Sequence, residues 1–150
     1  MSAGRLLGVD YGDVRVGLAV SDPDRKIAFP LATYTRQSGE RDAAYFASVV
    51  KAERVAELVV GLPVHLSGRE GQKAAAARAF AAWLARATGL PVQFWDERFT
   101  TVEAESALWN AGLTHKKRKA RRDKVAAQIL LQAYLDAGCP PHAGAGPLDG

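Results

Sequence analysis

The chain is poor in the residues that build disulfide frameworks, zinc sites and membrane spans. Among its 150 residues Cys139 is the sole cysteine, so no internal disulfide forms and a reducing compartment suits it. The thiol sits on a Pro/Gly-rich tail and is read as incidental. His65, His115 and His142 are scattered without ligand spacing, so carboxylates rather than histidine or cysteine would have to hold any metal. No apolar run approaches the ~20 residues of a membrane helix. Met1-Ser2-Ala3-Gly4-Arg5 leads straight into a strand-like run, without a signal-peptide pattern. A cytoplasmic protein with no membrane contact is expected. The loop from Gly61 to Gly71 is glycine-rich but lacks the Walker phosphate-loop pattern, and it reads as a turn.

What is present is an ordinary globular composition, 48% hydrophobic and 24% charged, long enough for one domain with a real core. The net charge of +4 is unevenly spread. Seven of the 20 basic residues lie between His115 and Lys124: Lys116, Lys117, Arg118, Lys119, Arg121, Arg122 and Lys124. The remainder of the chain carries 13 basic and 15 acidic residues, so the basicity is a patch. Such a patch raises the local potential and attracts polyanions, although basic runs are also common as solvated loops.

The hydrophobic periodicity gives the order β-β-β-α-β-α-β-α-α. Arg5 to Asp10 reads as a buried strand, Tyr11-Gly12-Asp13 as a tight turn, Val14 to Val20 as a second strand and Ile27 to Thr35 as a third. Glu40 to Arg54 carries a helical stripe of Ala43, Phe46, Ala47 and Val50. Glu57 to Leu62 is a short buried strand ended by Pro63. Ser67-Gly68-Arg69-Glu70 fits a capping box before an alanine-rich helix with Ala77, Phe80, Leu84 and Ala87 inward, closed by Gly89. Pro91 to Trp95 is the fifth strand. Thr100 to Glu103 fits a second capping box, opening a helix with Ala104, Ala107, Leu108 and Ala111 on one face. Asp123 to Ala137 is the last helix, with Ala126, Leu130 and Ala133 inward. Residues 139–150 lack periodicity and are expected to be disordered. A three-stranded meander extended through helical crossovers makes a mixed five-stranded sheet flanked by helices, an α/β fold occupying residues 1–138.

Sites in open sheets collect beyond the carboxyl ends of parallel strands, and Asp10 and Glu97 both follow strand ends. Asp123 is delivered by the basic run just before an apolar helix. Mg²⁺ or Mn²⁺ accepts a few carboxylates together with phosphate oxygens. Two such ions about 4 Å apart can position an attacking water and stabilise the leaving oxygen of a phosphodiester. Taken singly, Asp10 fits a turn-shaping aspartate and Asp123 fits a helix N-cap. Strand alternation turns one of Asp96 and Glu97 away from the site. Arg98 fits a phosphate contact or an ion pair with an acid. Trp95 and Phe99 fit core packing better than base stacking.

Four blocks carry a resemblance: Leu7-Gly8-Val9-Asp10-Tyr11-Gly12, Val60-Gly61-Leu62-Pro63, Asp96-Glu97-Arg98-Phe99-Thr100-Thr101, and Asp123 through Gln132. In this order they resemble the bacterial YqgF/RuvX family, assigned as Holliday junction resolvases or pre-16S rRNA nucleases. The match runs from about Arg5 to Ala137. Phe99 stands where the family usually has leucine, and Val14 where lysine is common, which removes one phosphate contact. The resemblance implies an RNase H-like fold and a metal-dependent nuclease whose acidic triad maps onto Asp10, Glu97 and Asp123, with Glu97 rather than Asp96 as the ligand. In that reading Asp10 bridges two Mg²⁺ or Mn²⁺ ions, and Arg98 with Lys116 to Lys124 holds the nucleic-acid backbone. It also implies work at the 5′ end of small-subunit ribosomal RNA.

Three alternatives stay open: a resolvase acting on branched DNA, a non-catalytic nucleic-acid-binding assembly factor, and a phosphate loop like that of actin-like ATPases. The last is disfavoured because those proteins use two such domains. Monomer and homodimer are equally compatible with the sequence, as are RNA and DNA.

Overall fold

The computed structural model describes residues 4–65, 67–99 and 115–140, with backbone alone for 99 and 115–121. Five strands form one mixed sheet: β1 (Arg5–Asp10), β2 (Arg15–Ser21), β3 (Ala28–Thr35), β4 (Val55–Leu62) and β5 (Val92–Asp96). Their spatial order is β3-β2-β1-β4-β5. The first three make the expected antiparallel meander, and β4 and β5 add in parallel to β1. Pro30 is tolerated because β3 is an edge strand, where a ladder donor is dispensable, and the β2 register shifts beside it between Leu18 and Ala19.

Helices α1 (Gly39–Ala52) and α2 (Gln72–Thr88) cover one face. Phe46, Phe80, Ala77, Ala81 and Leu84 pack there on Leu7, Val9, Leu58 and Val60. Helix α3 (His115–Asp136) covers the other, with Ala127, Leu130, Leu131 and Tyr134 on Leu6, Ala19 and Val59. The face of α3 that turns inward is therefore not the expected one: Ala126 and Ala133 are only half-buried, and of that stripe Leu130 alone is core. In α1, Ala47 is exposed, and the buried partner of Phe46 is Asp42.

Two cap expectations are corrected. Ser67 to Glu70 does not start α2. It forms a small hairpin in which Val64 bridges Glu70, and Glu70 takes a two-pronged ion pair from Arg78. The helix begins instead at Gln72 after Gly71, which provides no side-chain cap. Asp123 is not an N-cap either. Helix α3 starts eight residues earlier, so the whole basic run is helical rather than a loop. Its far end closes as a Schellman motif, Cys139 N–H to the Tyr134 carbonyl and Gly138 N–H to that of Leu135. Cys139 is thus tied to the end of α3 and packs on its core, and burial pushes the thiol pKa up. The Thr100–Glu103 capping box, its helix and the tail beyond Pro140 lie outside the described residues.

Candidate active site

Parallel β1, β4 and β5 all end at one edge of the sheet, where Val9 pairs Val60 and Leu62 pairs Asp96. Asp10 is the last residue of β1. Glu97 opens a 3-10 turn immediately after β5. Two strand spacings, about 10 Å of backbone, separate them, with β4 between. Gly61 on β4 makes the gap usable. A Cβ there would stand 2.7 Å from Glu97 Oε1 and 3.2 Å from Leu130 Cδ2, so its absence lets the carboxylate lie over β4. Asp10 and Glu97 line one cavity of about 500 Å³ with Tyr11, Gly12, Asp13 and Pro63. The start of α2 also lines it, through Gln72, Lys73, Ala76 and Ala77.

The third acid arrives from α3 through another bare position. Asp10 pairs with Gly17, and a Cβ on Gly17 would collide with the Asp123 carbonyl. Residues directly opposite on antiparallel strands share a face, so Asp10 and Asp123 lie on the same side of the sheet. The Asp123 carboxylate nevertheless does not line the cavity. Its Oδ2 accepts from Arg15 Nε at 2.7 Å, a partly exposed ion pair between β2 and α3. Among the described residues no three His, Cys, Asp or Glu side chains stand close enough together to hold a metal ion. The structure brings Asp10 and Glu97 together, and Asp123 to their margin.

Of the expected backbone contacts, Arg98 is engaged by Asp96, which accepts from its Nε at 2.9 Å, its Nη2 at 2.6 Å and its main-chain N–H at 2.9 Å. Of the Asp96-Glu97 pair, Asp96 braces the turn and Glu97 lines the cavity. Lys116, Lys117, Arg118, Lys119 and Arg121 sit on the first turns of α3, while Arg122 is exposed and Lys124 half-buried. Trp95 packs against Tyr134 rather than standing free.

Sequence reasoning missed Arg15, Lys73 and Gln72, because each is brought to the site by tertiary contact alone. Gly17 and Gly61 carried a signal that went unused: glycine inside an apolar strand marks a close approach. The acidic side chains of the lining, Asp10, Asp13 and Glu97, suit a hard ion such as Mg²⁺ or Mn²⁺, which is held by one or two carboxylates with substrate oxygens.

The model of the family described as "RuvX: Holliday junction resolvase" matches residues 4–137. The chain belongs to that family. A Rhodopirellula baltica protein named "Putative pre-16S rRNA nuclease" is 49% identical over 136 residues, 91% of this chain and 79% of that one. A protein of the same name from Koribacter versatilis is 44% identical over 133 residues, 89% and 87% of the two chains. Among solved structures, Thermus thermophilus RuvC in complex with Holliday junction substrate superposes with a TM-score of 0.57 at 18% identity, covering 90% of this chain and 95% of that one. At that identity the likeness is one of fold, and the fold is RNase H-like. Among the described residues no helix of this RuvX-family chain is long and apolar enough to cross a membrane.

Proposed function

We propose that this RuvX-family protein is a divalent-metal-dependent nuclease that trims ribosomal RNA precursors at the 5′ end of the small-subunit RNA. The observation that carries the reading is the convergence of Asp10 and Glu97 on one cavity at the carboxyl edge of the parallel strands. Family membership supplies the nuclease activity, and the names of the similar proteins supply the RNA.

Asp10 and Glu97 would hold Mg²⁺ or Mn²⁺. Asp123 is the further carboxylate that a second ion requires. Such ions lower the pKa of an attacking water and stabilise the charge that develops on the phosphoryl and leaving oxygens. The chain's own contribution is placement. Gly61 leaves room for Glu97, Asp96 fixes the turn that carries it, and Lys73 brings a positive charge to the cavity lining for a substrate phosphate. The basic first turns of α3 give the backbone an electrostatic footing, so affinity should fall steeply with salt.

The test is cleavage by wild type and Asp10→Ala of four substrates: a ribosomal RNA precursor, single-stranded RNA, single-stranded DNA and a four-way junction. Each is run with EDTA, Mg²⁺ and Mn²⁺. Metal-dependent cutting of the precursor, lowered on the order of 10³-fold in the variant with substrate binding intact, is the expected result. The family model's own description favours the second reading, and symmetric junction cuts would establish it. Binding without any cutting would leave a nucleic-acid-binding assembly factor.

A further inference from the structure

Arg15 lies outside the cavity lining, yet it has hold of the one acid that the proposed metal reading needs and the cavity lacks. Its Nε donates to Asp123 Oδ2 at 2.7 Å. Arg15 is the first residue of β2, it pairs with Thr35 of β3, and its carbonyl passes close over Gly12, whose missing side chain leaves room for it. Asp123 is fixed at its backbone, where its carbonyl rests on Gly17, directly across the ladder from Asp10. Paired strands are about 5 Å apart. The Asp123 main chain is therefore already one strand from Asp10 and on the same face, and only its side chain is directed elsewhere.

We propose that Arg15 is the positioning residue for this third acid. In the ion-free protein it holds the Asp123 carboxylate clear of the cavity. When a divalent cation enters, Asp123 changes rotamer and joins Asp10 and Glu97 without movement of α3. The inference rests on the metal-dependent reading above. Its physical basis is like-charge repulsion: Asp10, Asp13 and Glu97 already line the ion-free cavity and would repel a further carboxylate, and pairing Asp123 with a guanidinium removes that cost. Side-chain exposures of 36% and 21% make the pair a screened one, weak enough for a divalent cation to displace.

The experiment is Mn²⁺ affinity of the whole chain, read from the electron paramagnetic resonance signal of the free ion. The proteins are wild type, Arg15→Gln, Asp123→Asn and the double variant. Arg15→Gln is expected to bind Mn²⁺ about two- to five-fold more tightly than wild type, the factor that a displaced exposed ion pair represents. The gain disappears in the Asp123→Asn background. Unchanged or weaker binding by Arg15→Gln overturns the proposal. So does a gain of equal size in the double variant, since that would reflect net charge alone. Arg15→Lys keeps the charge with a poorer contact and should fall between wild type and Arg15→Gln. It is the variant to read, by the same criteria, if Arg15→Gln loses its circular-dichroism signal. Asp10→Ala tests the underlying reading separately: wild-type Mn²⁺ affinity in that variant would discard the cavity as a metal site, whatever Arg15→Gln does. Absence of binding by both wild type and Arg15→Gln would end both.

Discussion

The two faces of the sheet are built on opposite principles. Under α1 and α2 the filling is aromatic: Phe46 packs edge-on against Tyr34, Phe80 and Trp83, and Tyr45 stacks on Tyr34 at 3.9 Å. Even its buried charge is fully held, because Asp42 accepts from the Tyr34 hydroxyl at 2.6 Å and from Gln37 N–H at 2.9 Å, with Arg36 at 3.6 Å. Under α3 the sheet offers glycine instead. Cβ atoms on Gly8, Gly17 and Gly61 would run into Leu131, Asp123 and Glu97 respectively. Large side chains give one face its stability. Missing side chains let a helix and a carboxylate close on the other, and the candidate site lies at its carboxyl edge, reached also by the start of α2. Variants in the aromatic cluster of the first face should change stability and leave the site's chemistry alone. Variants at the glycines of the second should disturb that chemistry by more than their cost in stability explains.

The largest effect sharpens the first half of that contrast. Phe46→Ala removes a fully buried ring and should cost about 3–5 kcal/mol in denaturant unfolding. Cleavage per folded molecule should stay near wild type, and a selective loss of turnover would break the distinction between faces.

Next comes Tyr34→Phe, expected to cost about 1.5–3 kcal/mol at neutral pH because it strips a hydrogen bond from a buried carboxylate. The two partners define its pH signature. Burial pushes Asp42 up, but the Tyr34 hydroxyl, Gln37 N–H and Arg36 outweigh it, and the net pKa lies below the usual 3.8. Its contribution is therefore present above the unfolded value and lost as pH falls through the lower folded one. Tyr34 is pushed up to about 12, first by its hydrogen bond to Asp42 and then by burial. Its contribution is present below the ordinary value of 10 and lost as pH climbs through 12. Urea titrations across pH should show the wild type and Tyr34→Phe converging at both extremes. A gap independent of pH would mean that the bond is not what the hydroxyl contributes.

Gly17→Ala tests the second face. The new methyl meets backbone, so α3 must shift, at about 1–3 kcal/mol. Because that shift moves Asp123, turnover and Mn²⁺ affinity should fall by more than the loss of folded protein explains. Full turnover by the Gly17→Ala variant would show that α3 need not approach so closely.

The smallest effect is the control glycine. Nothing lies within 4 Å of a Cβ on Gly39, at the start of α1. Gly39→Ala should be neutral or stabilising, by up to about 1 kcal/mol in thermal unfolding.

The sequence by itself determined the order of the described strands and helices, the meander, the mixed sheet and two of the acids at strand ends. Those features follow from local periodicity and from the abrupt stop of an apolar run at a charge, both of which are written in consecutive residues. Asp96 and Glu97 could not be separated that way, because a strand that ends in a 3-10 turn loses its alternation. The start of α3 and its inward face were misread for a related reason. Lysine and arginine sustain a helix as well as they do a loop, and on an alanine-rich helix the buried stripe is chosen by the partner surface. Only the tertiary structure decided that Gly17 seats Asp123, that Gly61 admits Glu97, and that Lys73 lines the cavity with its acids. It also decided that Arg15 holds the third acid. Each of these joins residues tens of positions apart, and such a contact is set by how closely two packed elements can approach, which no local pattern records.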